Sequence, residues 1–198
     1  MEEENNMNCN VNESSTKFLG DMMQGDMDKI YTPFLERMPE KAIILDAGCG
    51  TGRDSIYFKE HGHMVIPMDT SEESCQIAGE RIGQAVLFCR FQDVHFKIPF
   101  DGIWACGSLI HLNNEELDNV LSHLYCYLRD GGTIYSSFIY GSYEGIREGE
   151  YYLDLNEEKA REIFTAAGYN VDKMWITRSY DGNNVDIKWL NVLANKKK

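Results

Sequence analysis

Ile30, Tyr31, Phe34, Leu35 and Met38 recur at the spacing of one helical face, and Pro39 predicts the end of that helix. The pattern then changes. Ala42-Ile43-Ile44-Leu45 is a short apolar run of the kind that makes a buried strand, and a glycine-rich turn follows it. A helix is expected from about Arg53 to Glu60, closed near Gly62, and Met64–Met68 reads as a second strand. Ser71 is a plausible N-cap for a helix reaching Ile82, with Glu72 and Glu73 where the helix dipole favours anions. Val86–Cys89 and Gly102–Cys106 read as strands three and four. Leu117, Val120, Leu121, Leu124, Tyr125 and Leu128 mark the clearest helix, which Asp130-Gly131-Gly132 should stop. Thr133–Phe138 is a fifth strand. Ala160, Ile163, Phe164 and Ala167 line a further helix, ended by Gly168. Strands near Val171–Ser179 and Val185–Ala194 flank Asp181-Gly182-Asn183-Asn184, a hairpin-turn signal.

Strands alternating with helices predict an α/β, Rossmann-like three-layer sandwich. Its seven-stranded sheet should be mostly parallel, with a C-terminal antiparallel hairpin. Ligands in such sheets bind at the carboxyl ends of the strands, where strand order reverses. Residues 1–11, rich in Asn and Glu, are expected to be a disordered tail, and 12–198 a single domain.

Composition narrows the function. The chain has 198 residues and a formal charge of −13, which disfavours a nucleic-acid partner because phosphate binding needs clustered Lys and Arg. Lys196-Lys197-Lys198 reads as a solvated tail. No apolar run approaches the length needed to span a bilayer, and the acidic N-terminus is unlike a signal peptide, so a cytoplasmic protein without membrane association is expected. The six cysteines contain no Cys-x-x-Cys pair and read as reduced thiols. His61-Gly62-His63 lacks an evident third ligand, so no metal is expected. A monomer or homodimer is expected.

The chemistry is concentrated in Asp46-Ala47-Gly48-Cys49-Gly50-Thr51-Gly52-Arg53-Asp54, between the first strand and a helix. Glycines let the backbone turn tightly and approach a ligand, and the helix start offers free N–H groups. A P-loop is excluded, since the chain contains no Gly-Lys. A dinucleotide fingerprint is disfavoured because Arg53 stands at its third glycine. Asp69 lies roughly twenty residues downstream at the end of the second strand, where an acid can accept hydrogen bonds from a ribose. Asp93-Val94 follows the third strand.

The glycine spacing, preceded by an acid, resembles motif I of the class I S-adenosylmethionine-dependent methyltransferases. Leu128-Arg129-Asp130-Gly131-Gly132 resembles that family's turn before the fifth strand, with Asp130 in place of the usual proline. The resemblance runs over about residues 15–195. It is closest to small bacterial enzymes of the methyltransferase domain 11 and tellurite-resistance type. Gly52-Arg53-Asp54-Ser55, Asp101–Cys106, Ser108-Leu109-Ile110-His111, Ser137-Phe138 with Tyr140-Gly141, and Trp189-Leu190-Asn191 carry it. Pro67 departs from the usual small residue there, and Ile139 and Glu150 stand where basic residues are expected.

The resemblance implies S-adenosylmethionine as cofactor and a small-molecule methyl acceptor. Asp46 would order the loop and, with the Gly48 carbonyl, receive the methionine ammonium. Cys49 and Gly50 line the same loop, Cys49 as a small packed thiol. Asp69, followed by Thr70, would hold the ribose, and Asp93 with Val94 the adenine. Cys106 and Gly107 would line the sulfonium. Arg53 would hold the methionine carboxylate or a substrate anion, or be an ordinary surface arginine. His111 is the best-placed base, with a backbone-bonded structural role as its alternative. Tyr140–Asp154 looks like a substrate lid, in which Tyr140 and Arg147 are the candidate acceptor contacts. Trp189 is core or site. A silent cofactor-binding subunit supporting a partner protein, and a nicotinamide-dependent oxidoreductase, are the competing functions.

Overall fold

The structure is a computed structural model, and it describes residues 27–180 and 186–197. The expected N-terminal tail, Cys9 and the Asp181–Asn184 turn lie outside the described residues. In chain order the elements are α1 (Asp28–Leu35), β1 (Ile43–Ala47), α2 (Arg53–Glu60), β2 (Met64–Asp69), α3 (Glu72–Ile82), β3 (Leu87–Phe88) and β4 (Phe100–Cys106). A 3-10 turn (Leu109–His111) follows, then α4 (Asn114–Tyr127), β5 (Leu128–Ile139), β6 (Glu144–Arg147), β7 (Glu150–Leu153), α5 (Glu157–Ala166), β8 (Asn170–Tyr180) and β9 (Asp186–Asn195).

Local chemistry sets the helix starts. The Ser71 side chain accepts from the Ser74 amide, and Asn156 from Lys159. Asn113 and Glu116 form a reciprocal capping box at α4. Helix α1 buries Ile30, Tyr31 and Phe34. Phe34 and Met38 press so closely on β4 that a Cβ at Gly102 would lie 2.6 Å from the Phe34 ring.

The seven-stranded sheet has the order β3-β2-β1-β4-β5-β9-β8. All pairs among the first five strands are parallel, and β9 runs antiparallel to both β5 and β8. The chain moves outward one way through β1 and β2 and the other way through β4 and β5. Right-handed crossovers therefore put their helices on opposite faces and leave a crevice at the carboxyl ends of β1 and β4. Accordingly, Tyr31 of α1 stacks on Tyr57 of α2 and Phe34 packs at a tilt on Phe58, whereas on the other face Tyr169, just after α5, donates to the Leu121 carbonyl of α4. Trp104, Tyr135 and Trp189 are buried in the core.

Four sequence expectations are corrected. Helix α1 ends at Leu35, and Glu36–Met38 form a turn before Pro39. The third strand shrinks to Leu87–Phe88, both exposed, because it is an edge paired only to β2. Leu128 opens β5 instead of closing α4, and Asp130-Gly131-Gly132 lies inside β5 as a bulge opposite Asp101. There Gly131 adopts φ 79° and donates to the Lys196 carbonyl. Finally, the Tyr140–Asp154 segment, expected to be a substrate lid, contains a regular antiparallel hairpin, β6–β7, turned by Glu148 (φ 50°) and Gly149 (φ 90°).

Candidate functional site

The glycine loop is anchored on both sides. The Gly48 and Cys49 amides both donate to the Met68 carbonyl at 2.9 Å, and the Arg81 guanidinium donates to the Thr51 carbonyl and hydroxyl. Gly48 has φ 82°, and a Cβ there would lie 2.3 Å from the Ser108 Cβ. Ser108 donates to the Ala47 carbonyl at 2.5 Å, which ties the segment after β4 to the end of β1. Gly52 (φ 85°) is packed on Ile82, but a Cβ on Gly50 (φ 52°) would meet nothing within 4 Å. The loop thus presents backbone to open space at Gly50, beside the N-terminus of α2.

Asp69 faces this loop. Its carboxylate accepts from the Gly50 amide at 2.8 Å and the Ser71 amide at 2.9 Å. Burial raises its pKa, and those N–H groups oppose the shift. Thr70 is exposed beside it.

Asp46, at the end of β1, is 1% exposed and accepts from the Ser55 hydroxyl at 2.5 Å. Burial, then the nearby Asp54 carboxylate, raises its pKa and disfavours its charge. Asp54 sits at the other extreme. It accepts from Tyr31 Oη (2.6 Å), Trp104 Nε1 (2.7 Å), Arg53 Nε (2.6 Å) and Arg53 Nη2 (3.0 Å). Burial disfavours its charge, but the guanidinium and these donors outweigh burial and hold it below the usual carboxylate range. Sequence reasoning assigned no role to Asp54, Ser55, Tyr31 or Trp104. Two polar residues at the first turn of α2, on the face that packs inward, were the available signal.

Arg53 is therefore clamped by its neighbour, with Nη2 also 3.9 Å from Cys106 Sγ. Cys106 ends β4 and Gly107 follows it. The Gly107 amide donates to Ser137 Oγ at 2.9 Å, and burial pushes the Cys106 thiol up to about 12. Burial likewise raises Cys49, an unreactive packed thiol. Val94 is buried, whereas the Asp93 side chain is half exposed and paired with Arg90 at 2.7 Å.

The hairpin stands beyond β5. Arg147 grips Asp154 with two bonds (2.8 and 2.6 Å) and lies 4.0 Å over the Tyr143 ring, so its guanidinium braces the hairpin. Tyr140 is exposed. His111 Nδ1 is 2.9 Å from the Tyr151 carbonyl oxygen. Trp189 is core, its Nε1 donating to Ser179. Among the described residues no three His, Cys, Asp or Glu side chains are placed to hold a metal, and no helix is long and apolar enough to cross a membrane.

Residues 44–132 match the methyltransferase domain family. The chain is 32% identical over 138 residues to the malonyl-[acyl-carrier protein] O-methyltransferase of Salmonella typhimurium, covering 64% of this chain and 50% of that protein. It is 31% identical over 118 residues to the tRNA 5-carboxymethoxyuridine methyltransferase of Escherichia coli K12, covering 55% of this chain and 43% of that protein. The chain spans about half the length, or less, of the curated relatives it matches. Among solved structures, 1,6-didemethyltoxoflavin-N1-methyltransferase of Burkholderia thailandensis, bound to 1,6-didemethyltoxoflavin and S-adenosylhomocysteine, superposes with a TM-score of 0.71 at 25% identity. That match covers 86% of this chain and 76% of that one. The family match thus covers the glycine loop and the segment through β4 and α4 to the start of β5, and the fold is the one that the 1,6-didemethyltoxoflavin-N1-methyltransferase structure shows.

Proposed function

We propose that this protein transfers a methyl group from S-adenosylmethionine to a small-molecule acceptor. The observation that carries the reading is the Gly50–Asp69 contact at the carboxyl ends of β1 and β2, next to the strand-order reversal: an open, positive-φ glycine whose amide is bonded to the carboxylate that ends β2. A Cβ-free backbone edge beside an acid fits a nucleoside ribose, with the methionine moiety running back along the loop.

In this reading Asp69 holds the ribose hydroxyls, and Asp93 with Val94 the adenine. Asp46 and the Gly48 carbonyl receive the ammonium, and Cys106 and Gly107 line the reacting centre. Arg53, fixed by Asp54, offers its remaining N–H groups to a carboxylate. The bound sulfonium supplies an excellent leaving group. The chain's own task is to hold the acceptor in line with the methyl and keep water out, which is catalysis by proximity. The hairpin with Tyr140, Tyr143 and Tyr151 is suited to the acceptor side. The relative that acts on 1,6-didemethyltoxoflavin supports a small heterocyclic acceptor, and the charge of −13 supports it over nucleic acid.

Thermal unfolding tests the cofactor. S-adenosylhomocysteine at about 100 times its Kd should stabilise the fold by roughly 2.7 kcal/mol, about 5–11 °C for a chain of this size. A shift with NADH and none with either sulfur nucleotide refutes the reading. Production of S-adenosylhomocysteine from S-adenosylmethionine and a metabolite extract separates an enzyme from a silent subunit.

A further inference from the structure

His111 ends the 3-10 turn that follows β4, and Ser108, at the start of the same segment, is bonded to the Ala47 carbonyl beside the glycine loop. The imidazole is partly exposed, with 31% of its side-chain surface accessible. Its surroundings come from consecutive residues of β7. The Tyr151 carbonyl oxygen is 2.9 Å from Nδ1, Glu150 Oε2 is 3.8 Å from the same nitrogen, and the Tyr152 ring meets the imidazole edge-on at 4.8 Å.

A carbonyl oxygen can only accept, so Nδ1 carries the hydrogen, and in the neutral ring Nε2 carries the lone pair. No described residue bonds to Nε2. The hairpin that imposes this tautomer is itself fixed. Arg147 and Asp154 brace it from within, Tyr151 Oη donates to Glu144 at 2.5 Å, and Asn114 at the start of α4 donates to the other Glu144 oxygen at 2.7 Å. Glu150 replaces a basic residue expected by resemblance, so this hairpin sets a carboxylate beside the imidazole.

We propose that β7 positions His111 as a general base with its Nε2 lone pair open, Tyr151 fixing the tautomer and Glu150 facing the charge the ring gains. The acceptor is then a small molecule whose reacting atom carries a weakly acidic proton, a ring hydroxyl or ring N–H. This rests on the methyltransferase reading above. In the step, the acceptor's lone pair forms a bond to the methyl carbon, and the carbon–sulfur bond breaks with its electrons going to sulfur. The acceptor's proton passes to His111 Nε2, and the imidazolium later releases it to water. A carboxylate acceptor is already ionised and needs no such base.

Nitrogen NMR of 15N-labelled protein, with and without S-adenosylhomocysteine, reads the tautomer and needs no acceptor. A protonated Nδ1 and a bare Nε2 are expected, and the opposite tautomer overturns the proposal. Deuteromethyl S-adenosylmethionine with a metabolite extract reads the acceptor. Label on a ring oxygen or ring nitrogen is expected; label on a carboxylate, sulfur or metalloid overturns the proposal and leaves the methyltransferase reading standing. Failure of S-adenosylhomocysteine to bind defeats that reading itself. With the same extract, His111→Gln should lower S-adenosylhomocysteine production at least about 100-fold, the scale of lost general-base catalysis. Glu150→Gln should lower it less, and Glu150→Asp should restore part of the loss. Affinity for S-adenosylhomocysteine should stay within about twofold in all three. Undiminished turnover in His111→Gln overturns the proposal.

Discussion

Replacing Asp54 with alanine removes the acceptor on which α1, α2 and β4 converge. The carboxylate holds the Arg53 guanidinium through two bonds and also takes the Tyr31 hydroxyl and the Trp104 indole N–H. Breaking a buried ion pair from one side typically destabilises by about 3–5 kcal/mol. Here the Arg53 side chain is 37% exposed against 9% for Asp54, so the orphaned cation regains water and the lower end applies, about 3 kcal/mol. Tyr31 and Trp104 then keep buried donors without an acceptor, each worth roughly 1–3 kcal/mol. Water entering the vacated space recovers part of that, which leaves a loss of about 5 kcal/mol, or roughly 10–20 °C in Tm. Denaturant unfolding of Asp54→Ala, Tyr31→Phe and the double variant measures it. Tyr31→Phe alone should lose about 1.5–3 kcal/mol, the value of a bond to a charged group. Made on top of Asp54→Ala, the same change should be nearly neutral, giving a coupling of at least about 1 kcal/mol. A loss below about 2 kcal/mol for Asp54→Ala, or additive singles, would refute the view that this carboxylate fastens α1 to the site.

Asp69→Ala should weaken S-adenosylhomocysteine at least about tenfold by calorimetry, since each charge-assisted bond to the ribose is worth roughly 1.5–3 kcal/mol; unchanged affinity removes Asp69 from the site. Burial disfavours the Asp46 charge, and an ammonium needs that charge, so cofactor binding should be linked to release of a proton and should tighten as pH rises. Calorimetry in two buffers of different ionisation heat reads that proton, and its absence assigns the ammonium elsewhere. Without cofactor the sign is fixed by the raised pKa: Asp46's contribution to stability is complete below its ordinary 3.8 and is lost as pH rises through the raised value. Gly48→Ala should destabilise by well over the roughly 1–2 kcal/mol of a left-handed residue, because its Cβ runs into Ser108, whereas Gly50→Ala should stay near that range and mainly impair cofactor binding. Equal Tm losses for the two would show that the loop is packed alike at both positions.

The order of strands and helices, and the placement of the glycine loop between the first strand and its helix, are written in the chain itself. They follow from local periodicity, caps and glycine spacing, which act over a few residues. So is the hairpin β8–β9, through two strand patterns around a turn signal. The placement of Asp46 and the Gly48–Gly52 stretch at the end of β1 was legible because a strand end followed by glycines is a local signature, and that of Asp69 because an acid closes the next apolar run. The length of β3 was not legible, because whether an apolar run is a buried strand or an exposed edge depends on how many neighbours it gains. Nor was the start of β5 at Leu128, where pairing with Phe100 and the Lys196 contact override a helical pattern. The Asp54 hub was invisible for a related reason. Its partners are Arg53 next door, Tyr31 from α1 and Trp104 from β4, and only the packed sheet brings residues so far apart in the chain onto one carboxylate. His111 could be named from its place after β4. Its tautomer could not, because the carbonyl that sets it lies 40 residues away on a hairpin whose four-residue strands carry no alternating pattern of their own. These contacts belong to the folded molecule alone because they are long-range: they form only when burial has already closed the chain and made unpaired donors and charges too costly to leave.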